Sequence, residues 1–282
     1  MKTIGVIGAG VMGMGVAQNL AQAGYQVILV DIATEILTQA RKEIYNQIRL
    51  QALFQKNKAA VLDPDSIIAQ INFTTDYQQL KTAEYIIENA TEKWEIKAKI
   101  YQTIDQICHP DCIFAVNTSC ISITKIASLT KRPTKVIGTH YMNPVPMKTT
   151  VETIRGFHTS DATIETTKQL LATMGKECIL VNDYPGFVSN RISHLFMNEA
   201  AFVVQDQVAS AQEVDDIFKQ CYGHKMGPLE TADLIGLDTV VNSLEVLYES
   251  YQDPKFRCCP LLRKMVDAGL LGVKSGEGFY TY

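Results

Sequence analysis

The chain has 282 residues, of which 46% are hydrophobic and 20% charged, and its formal net charge is −4. This composition is typical of a soluble globular protein with one or two domains, and no segment approaches the ~20 consecutive apolar residues that a bilayer span needs. Because lysine and arginine are scattered, the sequence also lacks the basic patch expected of a nucleic-acid-binding protein.

The first predicted elements form a strand, a glycine-rich turn and a helix. The strand Thr3–Ile7 leads into Gly8-Ala9-Gly10-Val11-Met12-Gly13 and the helix Val11–Ala23. This glycine spacing is typical of a dinucleotide-binding turn, in which backbone N–H groups at the helix N-terminus hold the pyrophosphate. The glycines by themselves are also compatible with the alternative of a tight strand-to-helix turn that binds no ligand.

The second predicted strand, Gln26–Val30, ends at an acidic residue. Asp31 stands about 20 residues after the glycines, where a carboxylate accepts hydrogen bonds from a ribose hydroxyl. A carboxylate repels a 2′-phosphate, and none of the next three residues is an arginine that would neutralise it. The sequence therefore predicts NAD as the cofactor rather than NADP.

Up to about residue 184, short β-branched segments alternate with amphipathic ones. The further predicted strands are Tyr85–Glu88, Cys112–Val116, Lys135–His140, Glu152–Arg155 and Glu177–Val181. The helices predicted among them are Glu35–Leu53, Ile96–Ile107 and Ile164–Met174. This alternation predicts an α/β fold with a Rossmann-type, doubly wound and mostly parallel sheet.

The seven cysteines are odd in number and contain no Cys-x-x-Cys pair. Cys108, His109 and Cys112 come nearest to a metal-binding cluster, but small core residues are the more ordinary interpretation. We therefore expect no metal site, and a reduced protein of the cytoplasm.

Among the five histidines, His140 has the setting that best suits chemistry. It closes a hydrophobic strand, and open α/β sheets bind their ligands at the carboxyl ends of strands. Glu152 follows in another β-prone segment, close enough in the chain for its carboxylate to fold back on the imidazole. A histidine held by a carboxylate suits NAD-linked oxidation of an alcohol, which needs a base for the hydroxyl proton. Position alone, however, favours a structural histidine.

After Tyr184-Pro185-Gly186 the strand signals end. The predicted helices that follow are Phe187–Val208, Ala211–Cys221, Asp238–Tyr251 and Pro260–Ala268. We expect two domains, an NAD-binding Rossmann-type domain of residues 1–184 and a smaller all-α domain of residues 185–282.

Seven blocks of sequence resemble the 3-hydroxyacyl-CoA dehydrogenase family, which includes the 3-hydroxybutyryl-CoA dehydrogenases. In chain order the blocks are Gly8–Gly15, Asn117–Ser119, His140–Pro146, Asp183–Arg191, Gly227–Glu230, Asp233–Asp238 and Gly272–Tyr280. The resemblance runs nearly end to end. It implies NAD-linked interconversion of a short 3-hydroxyacyl thioester and its 3-ketoacyl thioester, and a homodimer formed through the C-terminal helices.

The resemblance also implies roles for single residues in the reaction. His140 matches the family's catalytic base and Glu152 its carboxylate partner. Ser119 and Asn190 match polar residues that hold the substrate's oxygen atoms near the nicotinamide, a task suited to a hydroxyl and a carboxamide. From the residues alone, Asn190 would be interpreted as an ordinary loop residue.

Other matched residues are implied to contact the cofactor. Glu92 and Lys97 match residues near its adenosine and ribose, and Asn143 matches a residue at the nicotinamide end, where Ser119 also lies. From the residues alone, Glu92 and Lys97 are typical of a solvated helix start.

The sequence departs from the family where CoA would bind. Gln47 and Phe54 stand where relatives offer a serine and a lysine to the CoA nucleotide, although Arg49, Lys56 and Lys58 are near enough to replace them. A phosphopantetheine arm on a carrier protein needs no such contacts. A 3-hydroxyacyl-CoA, a hydroxyacyl group on an acyl-carrier protein of polyketide extender-unit biosynthesis, and a free sugar acid therefore stay open as substrates.

Two functions other than a hydroxyacyl dehydrogenase call for different residues. A β-hydroxyacid dehydrogenase with a lysine as its acid and base would carry that lysine on the first helix of the second domain, and Phe187–Val208 contains none. An NAD-binding protein without activity would have no use for both His140 and Glu152.

Overall fold

The structure, a computed structural model, describes residues 1–54 and 63–282. The chain divides into two compact units, Met1–Asp183 and Tyr184–Tyr282. No helix in these two described ranges is both long and apolar enough to cross a lipid bilayer.

An eight-stranded sheet forms the centre of the first unit. Its strands are β1 (Thr3–Ile7), β2 (Gln26–Val30), β3 (Ile71–Thr74), β4 (Tyr85–Glu88), β5 (Ile113–Val116), β6 (Val136–His140), β7 (Thr150–Arg155) and β8 (Glu177–Asn182). Their spatial order is β3-β2-β1-β4-β5-β6-β7-β8. Neighbouring strands are parallel except β6 and β7, which are antiparallel. The predicted α/β fold class is confirmed.

Strand β3 is absent from the sequence prediction. Its four residues pair in parallel with β2, and Ile71 alone among them is buried. Such a short strand shows too little alternation to be recognised from its residues. Strand β7 begins earlier than predicted because Thr150 and Val151 already pair with β8.

The first unit contains six α-helices in the described ranges. These are α1 (Val11–Gln22), α2 (Thr34–Phe54), α3 (Pro64–Ile68), α4 (Trp94–Ile107), α5 (Ile123–Ala127) and α6 (Asp161–Thr173). The unpredicted α3 and α5 have five residues each and begin at the side-chain caps Asp63 and Ser122. Buried residues such as Leu20 of α1 and Ile44 of α2 join the sheet in one hydrophobic core.

The strand order brings five polar or glycine positions to one edge of the sheet. The chain adds β2 and β3 on one side of β1 and then β4 and β5 on the other side. In open α/β sheets, ligands bind at the point where the direction of strand addition reverses in this way. Gly8, Asp31, Asn89 and Asn117 directly follow β1, β2, β4 and β5, and His140 ends β6. Because these strands are parallel, all five residues lie at the same carboxyl edge.

The second unit is helical in the part that the structure describes. Its helices are α7 (Ser189–Gln205), α8 (Ala211–Tyr222), α9 (Pro228–Ile235), α10 (Leu237–Tyr251) and α11 (Pro260–Asp267). The sequence prediction lacks α9. Buried Asp215 of α8 caps this helix, because its carboxylate accepts hydrogen bonds from the N–H groups of Leu229 (2.9 Å) and Glu230 (2.8 Å).

Buried carboxylates also hold the C-terminal residues against this unit. Asp233 accepts hydrogen bonds from the N–H groups of Phe279 and Tyr280, both at 3.0 Å, and burial raises the pKa of its carboxyl group. The Tyr280 hydroxyl donates to Asp215 at 2.8 Å. The two aspartates thus connect the end of the chain to α8 and α9.

Candidate active site

The glycine-rich turn between β1 and α1 has the geometry of a phosphate cradle. Gly8 adopts a φ of +90°, and a Cβ on Gly13 would lie 1.7 Å from the Gly8 carbonyl oxygen. Both positions therefore require glycine for the turn itself. A Cβ on Gly10, at the start of α1, would meet nothing within 4 Å. The backbone here is open to a ligand, which fits the close approach of a pyrophosphate.

Asp31 holds this turn from the neighbouring strand. Its Oδ2 accepts a hydrogen bond from the Ala9 N–H at 2.6 Å, and its Oδ1 accepts one from the Ile32 N–H at 2.7 Å. A carboxylate oxygen has two lone pairs, so each oxygen keeps acceptor capacity for a ribose hydroxyl. Asp31 therefore has a structural role in the turn beside its expected role toward NAD.

A cavity of ≈ 730 Å³ opens beside the turn. The glycine turn, Asp31 and the residues after β4 form one part of its wall. Side chains of Ile32, Ile36 and Ile96, each at least 39% exposed, supply apolar surface to the rest. An apolar cavity of this size with a few polar groups is typical of a cofactor site. These residues fit the adenosine half of a dinucleotide.

The antiparallel pairing of β6 and β7 brings His140 and Glu152 together. The two residues are directly opposite in the register, and opposed residues of an antiparallel pair project to the same face of the sheet. His140 Nδ1 lies 2.9 Å from Glu152 Oε2, and the side chains are 8% and 10% exposed. The imidazole is therefore held by a largely buried carboxylate.

Ser119 lies on the other side of the imidazole. Its Oγ is 3.3 Å from His140 Nε2. Glu92 holds the loop that carries this serine through three hydrogen bonds to its Oε1. The donors are the N–H groups of Ser119 (2.9 Å) and Cys120 (3.0 Å) and the Thr118 hydroxyl. The contact of Glu92 with the cofactor stays a prediction.

Lys97 is fully buried, so its interpretation as part of a solvated helix start is wrong. Its Nζ donates to both carboxylate oxygens of Glu88, at 2.9 and 2.8 Å, and to the Asn117 carbonyl at 2.9 Å. Burial raises the pKa of Glu88, and the Lys97 ammonium opposes that rise. Lys97 thus joins the ends of β4 and β5 from within the core, and its role toward the cofactor stays a prediction.

Glu88 and Asn117 connect elements of the site but are not among the functional residues predicted from the sequence. The signal available for Glu88 is an acidic residue that closes an apolar strand. Asn117 donates through Nδ2 to Asn89 Oδ1 at 2.7 Å, and its Oδ1 accepts from the Tyr141 N–H at 3.3 Å. This side chain connects the loops that follow β4, β5 and β6.

Asn143 and Asn190 lie in different units of the chain. Asn143 is exposed and follows β6. Asn190 belongs to the second unit, in the first turn of α7, where its carbonyl accepts a hydrogen bond from His194 Nδ1 at 3.0 Å. The roles of both asparagines toward cofactor and substrate stay predictions.

The residues considered for the CoA nucleotide are described only in part. Gln47 and Arg49 are exposed on α2. Lys56 and Lys58 lie outside the described residues, as does the side chain of Phe54.

Comparison with known proteins identifies the family of both units. Residues 3–184 match the model of the 3-hydroxyacyl-CoA dehydrogenase NAD binding domain, and residues 186–282 match that of the 3-hydroxyacyl-CoA dehydrogenase C-terminal domain. The match of the first model confirms the prediction of NAD.

Individual relatives agree with the family models over the full length. A probable 3-hydroxybutyryl-CoA dehydrogenase of Bacillus subtilis is 43% identical, covering 100% of this chain and 98% of the relative. One of Deinococcus radiodurans is 45% identical, covering 99% of each. The crystal structure of (S)-3-hydroxybutyryl-CoA dehydrogenase from Ralstonia eutropha has a TM-score of 0.95 at 42% identity, covering 100% of this chain and 99% of that one. This chain therefore belongs to the 3-hydroxyacyl-CoA dehydrogenase family.

Proposed function

We propose that this chain catalyses the reversible oxidation of a short 3-hydroxyacyl-CoA to the 3-ketoacyl-CoA, with NAD as the hydride acceptor. One observation carries the proposal. The His140 imidazole lies between the Glu152 carboxylate, 2.9 Å from Nδ1, and the Ser119 hydroxyl, 3.3 Å from Nε2. A base that is oriented by a carboxylate and faces a site for a hydroxyl group suits removal of an alcohol proton.

The contact with Glu152 determines which ring nitrogen acts as the base. An ionised carboxylate only accepts hydrogen bonds, so Nδ1 carries the proton of the neutral ring and Nε2 carries the lone pair. His140 takes the substrate's hydroxyl proton at Nε2. Glu152 then stabilises the positive charge on the ring, and in the reverse reaction the ring returns the proton to the ketone oxygen.

The remaining residues bind and orient. When bound, NAD accepts the hydride from the carbon that carries the hydroxyl group. The glycine turn and Asp31 would hold the dinucleotide, and Asn143 and Glu92 are the further cofactor contacts that we propose. We assign Ser119 to the substrate oxygen, because its hydroxyl both donates and accepts, and Asn190 to a second polar contact.

CoA is the acyl carrier that we propose. The relatives from Bacillus subtilis, Deinococcus radiodurans and Ralstonia eutropha are all described as 3-hydroxybutyryl-CoA dehydrogenases. The exposed Arg49 on α2 is a cation within the described residues that suits the CoA phosphates.

We also propose that residues 185–282 contribute to substrate binding and form a homodimer. The exposed apolar side chains Ile217 and Tyr222 on α8 support an interface in this unit. Sedimentation equilibrium tests the dimer, and a single species with the monomer mass would exclude it. All seven cysteines are free thiols, which supports a reducing compartment such as the cytoplasm.

The test of the function is NADH oxidation with three substrates in parallel: acetoacetyl-CoA, acetoacetyl-carrier protein and a keto sugar acid. We expect turnover with acetoacetyl-CoA at least about 100-fold above that with the other two substrates. This ratio corresponds to ~2.7 kcal/mol of differential transition-state binding. Preferred turnover of the carrier-protein thioester would contradict the proposed carrier. Absence of turnover with all three would contradict the proposed activity.

The catalytic base is tested with His140→Gln. We expect kcat to fall by roughly 10²–10⁴-fold, the range for loss of a general base, while the Kd for NADH changes less than about twofold. The control is His158→Gln, because His158 is exposed and outside the site. Turnover of His140→Gln near that of the unmodified chain would remove His140 from the mechanism.

A further inference from the structure

Lys176 is a buried lysine whose ammonium group bonds to backbone carbonyls. It stands between α6 and β8 and is 6% exposed. Its Nζ donates to the Val145 carbonyl at 2.7 Å and to the Lys148 carbonyl at 2.6 Å. Both carbonyls belong to the segment that joins β6 to β7.

Among the residues that the structure describes, no carboxylate pairs with the Lys176 ammonium group. Within residues 1–54 and 63–282, no carboxylate oxygen lies within 4.0 Å of Lys176 Nζ, the distance limit for an ion pair. Burial accordingly lowers the pKa of its ammonium group. A buried charge is costly unless it is well hydrogen-bonded, so the two carbonyl contacts are the compensation that the structure provides.

The segment bonded by Lys176 carries residues of the proposed active site. It begins after His140, contains Asn143 and ends shortly before Glu152. The neighbouring Glu177 adds a third bond, because its N–H donates to the Thr149 carbonyl at 2.7 Å. Lys176 and Glu177 thus fix the segment at three backbone carbonyls.

The opposite side of the segment packs against the helix of the glycine turn. A Cβ on Gly15 of α1 would lie 2.9 Å from the Val145 Cβ, so only a glycine permits this close packing. Val145 is therefore held by α1 on one side and by Lys176 on the other. The position of Asn143 relative to the dinucleotide-binding helix depends on both contacts.

We propose that Lys176 is a positioning residue that holds Asn143 at the nicotinamide end of the cofactor site. The inference rests on the proposed function for the identity of that end. Lys176 acts through the Val145 and Lys148 carbonyls and does not itself touch cofactor or substrate. Loss of its ammonium group loosens the segment and weakens those contacts that only the nicotinamide half makes.

The test compares two ligands by calorimetry: NADH, and ADP-ribose, which lacks the nicotinamide. Lys176→Met keeps the apolar stem and removes the donors. We expect the Kd for NADH to rise about 10-fold, the effect of losing one charge-assisted contact, and the Kd for ADP-ribose to stay within twofold. Lys168→Met on the exposed face of α6 is the matched control, with no expected change for either ligand.

A double-mutant cycle tests whether Lys176 acts through Asn143. If it does, Lys176→Met and Asn143→Ala together weaken NADH binding no more than the stronger single variant, because residues of one network are not additive. Lys168→Met and Asn143→Ala together should be additive. If Lys176→Met does not fold, Lys176→Gln, whose shorter and uncharged side chain removes the charge-assisted bonds, takes its place in both experiments with the same expected results.

Three results would overturn the inference. The first is an unchanged Kd for NADH in the folded variant. The second is an equal loss of affinity for NADH and ADP-ribose, which indicates a purely structural role. The third is additivity with Asn143→Ala. Because calorimetry needs no turnover, these results are independent of the acetoacetyl-CoA assay that tests the proposed function.

Discussion

Glu152→Gln isolates the charge of the carboxylate that faces His140. The substitution keeps the size of the side chain and an oxygen that accepts a hydrogen bond from Nδ1, while it removes the negative charge. In the unmodified chain Oε2 lies 2.9 Å from Nδ1, and the two side chains are 10% and 8% exposed. If His140 is the base, the charge of Glu152 acts mainly on the imidazolium that forms during the reaction.

The magnitude follows from the separation of the two charges. Charge centres about 4 Å apart interact by ~4 kcal/mol at an effective dielectric constant of 20, which suits sites near a protein surface. Residual exposure of both groups reduces this to about 3 kcal/mol, and each 1.36 kcal/mol corresponds to tenfold in rate. We therefore expect kcat to fall by roughly 10²–10³-fold.

The assay is steady-state oxidation of NADH with acetoacetyl-CoA, with the Kd for NADH measured alongside. The Kd should change less than about twofold, since the charge acts on the reacting ring and not on the dinucleotide. Glu177→Gln, an equal change at an exposed position of β8, is the control and should leave kcat unchanged. A Glu152→Gln variant with kcat within threefold of the unmodified chain would refute charge stabilisation of His140 by Glu152.

Two further predictions concern the glycine turn and the second unit. Gly13→Ala should lower the melting temperature and abolish NADH binding, because its Cβ would lie 1.7 Å from a backbone oxygen. Gly10→Ala should melt normally but bind NADH at least about 10-fold more weakly, because its Cβ would point into open space where the pyrophosphate binds. Normal NADH binding by Gly10→Ala would contradict the assignment of the glycine turn as a phosphate cradle. Tyr280→Phe removes a donor to buried Asp215 and should lower the free energy of unfolding in urea by about 1–3 kcal/mol. Tyr248→Phe, at a 42% exposed position of α10, is its control, and equal stability of both variants would argue against the aspartate contact.

The cofactor half of the site could be predicted from local sequence. A strand, three spaced glycines, a helix and an acidic residue at the end of the next strand are contiguous in the chain, and each has a direct backbone or charge requirement. Gly8 with its φ of +90° and Asp31 at the end of β2 illustrate this. Their contacts involve neighbouring elements, so periodicity and spacing suffice to indicate them.

Tertiary structure decided the arrangement of the reacting groups. Glu152 meets His140 because β7 runs antiparallel to β6 in a sheet that is otherwise parallel, and no local pattern specifies that register. The burial of Lys97 likewise depends on Glu88 and Asn117 from two other elements.

By itself, the sequence determined the α/β alternation, the dinucleotide turn and the candidate base at the end of a strand. These follow from side-chain periodicity and from glycine and strand-end chemistry within short segments. Only the folded chain showed how Ser119, His140 and Glu152 meet. It also showed that Lys176 bonds to backbone carbonyls about 30 residues away in sequence, a separation at which local periodicity carries no information. The physical reason is that strand register and burial are properties of the whole sheet, whereas turns and caps are properties of a few adjacent residues.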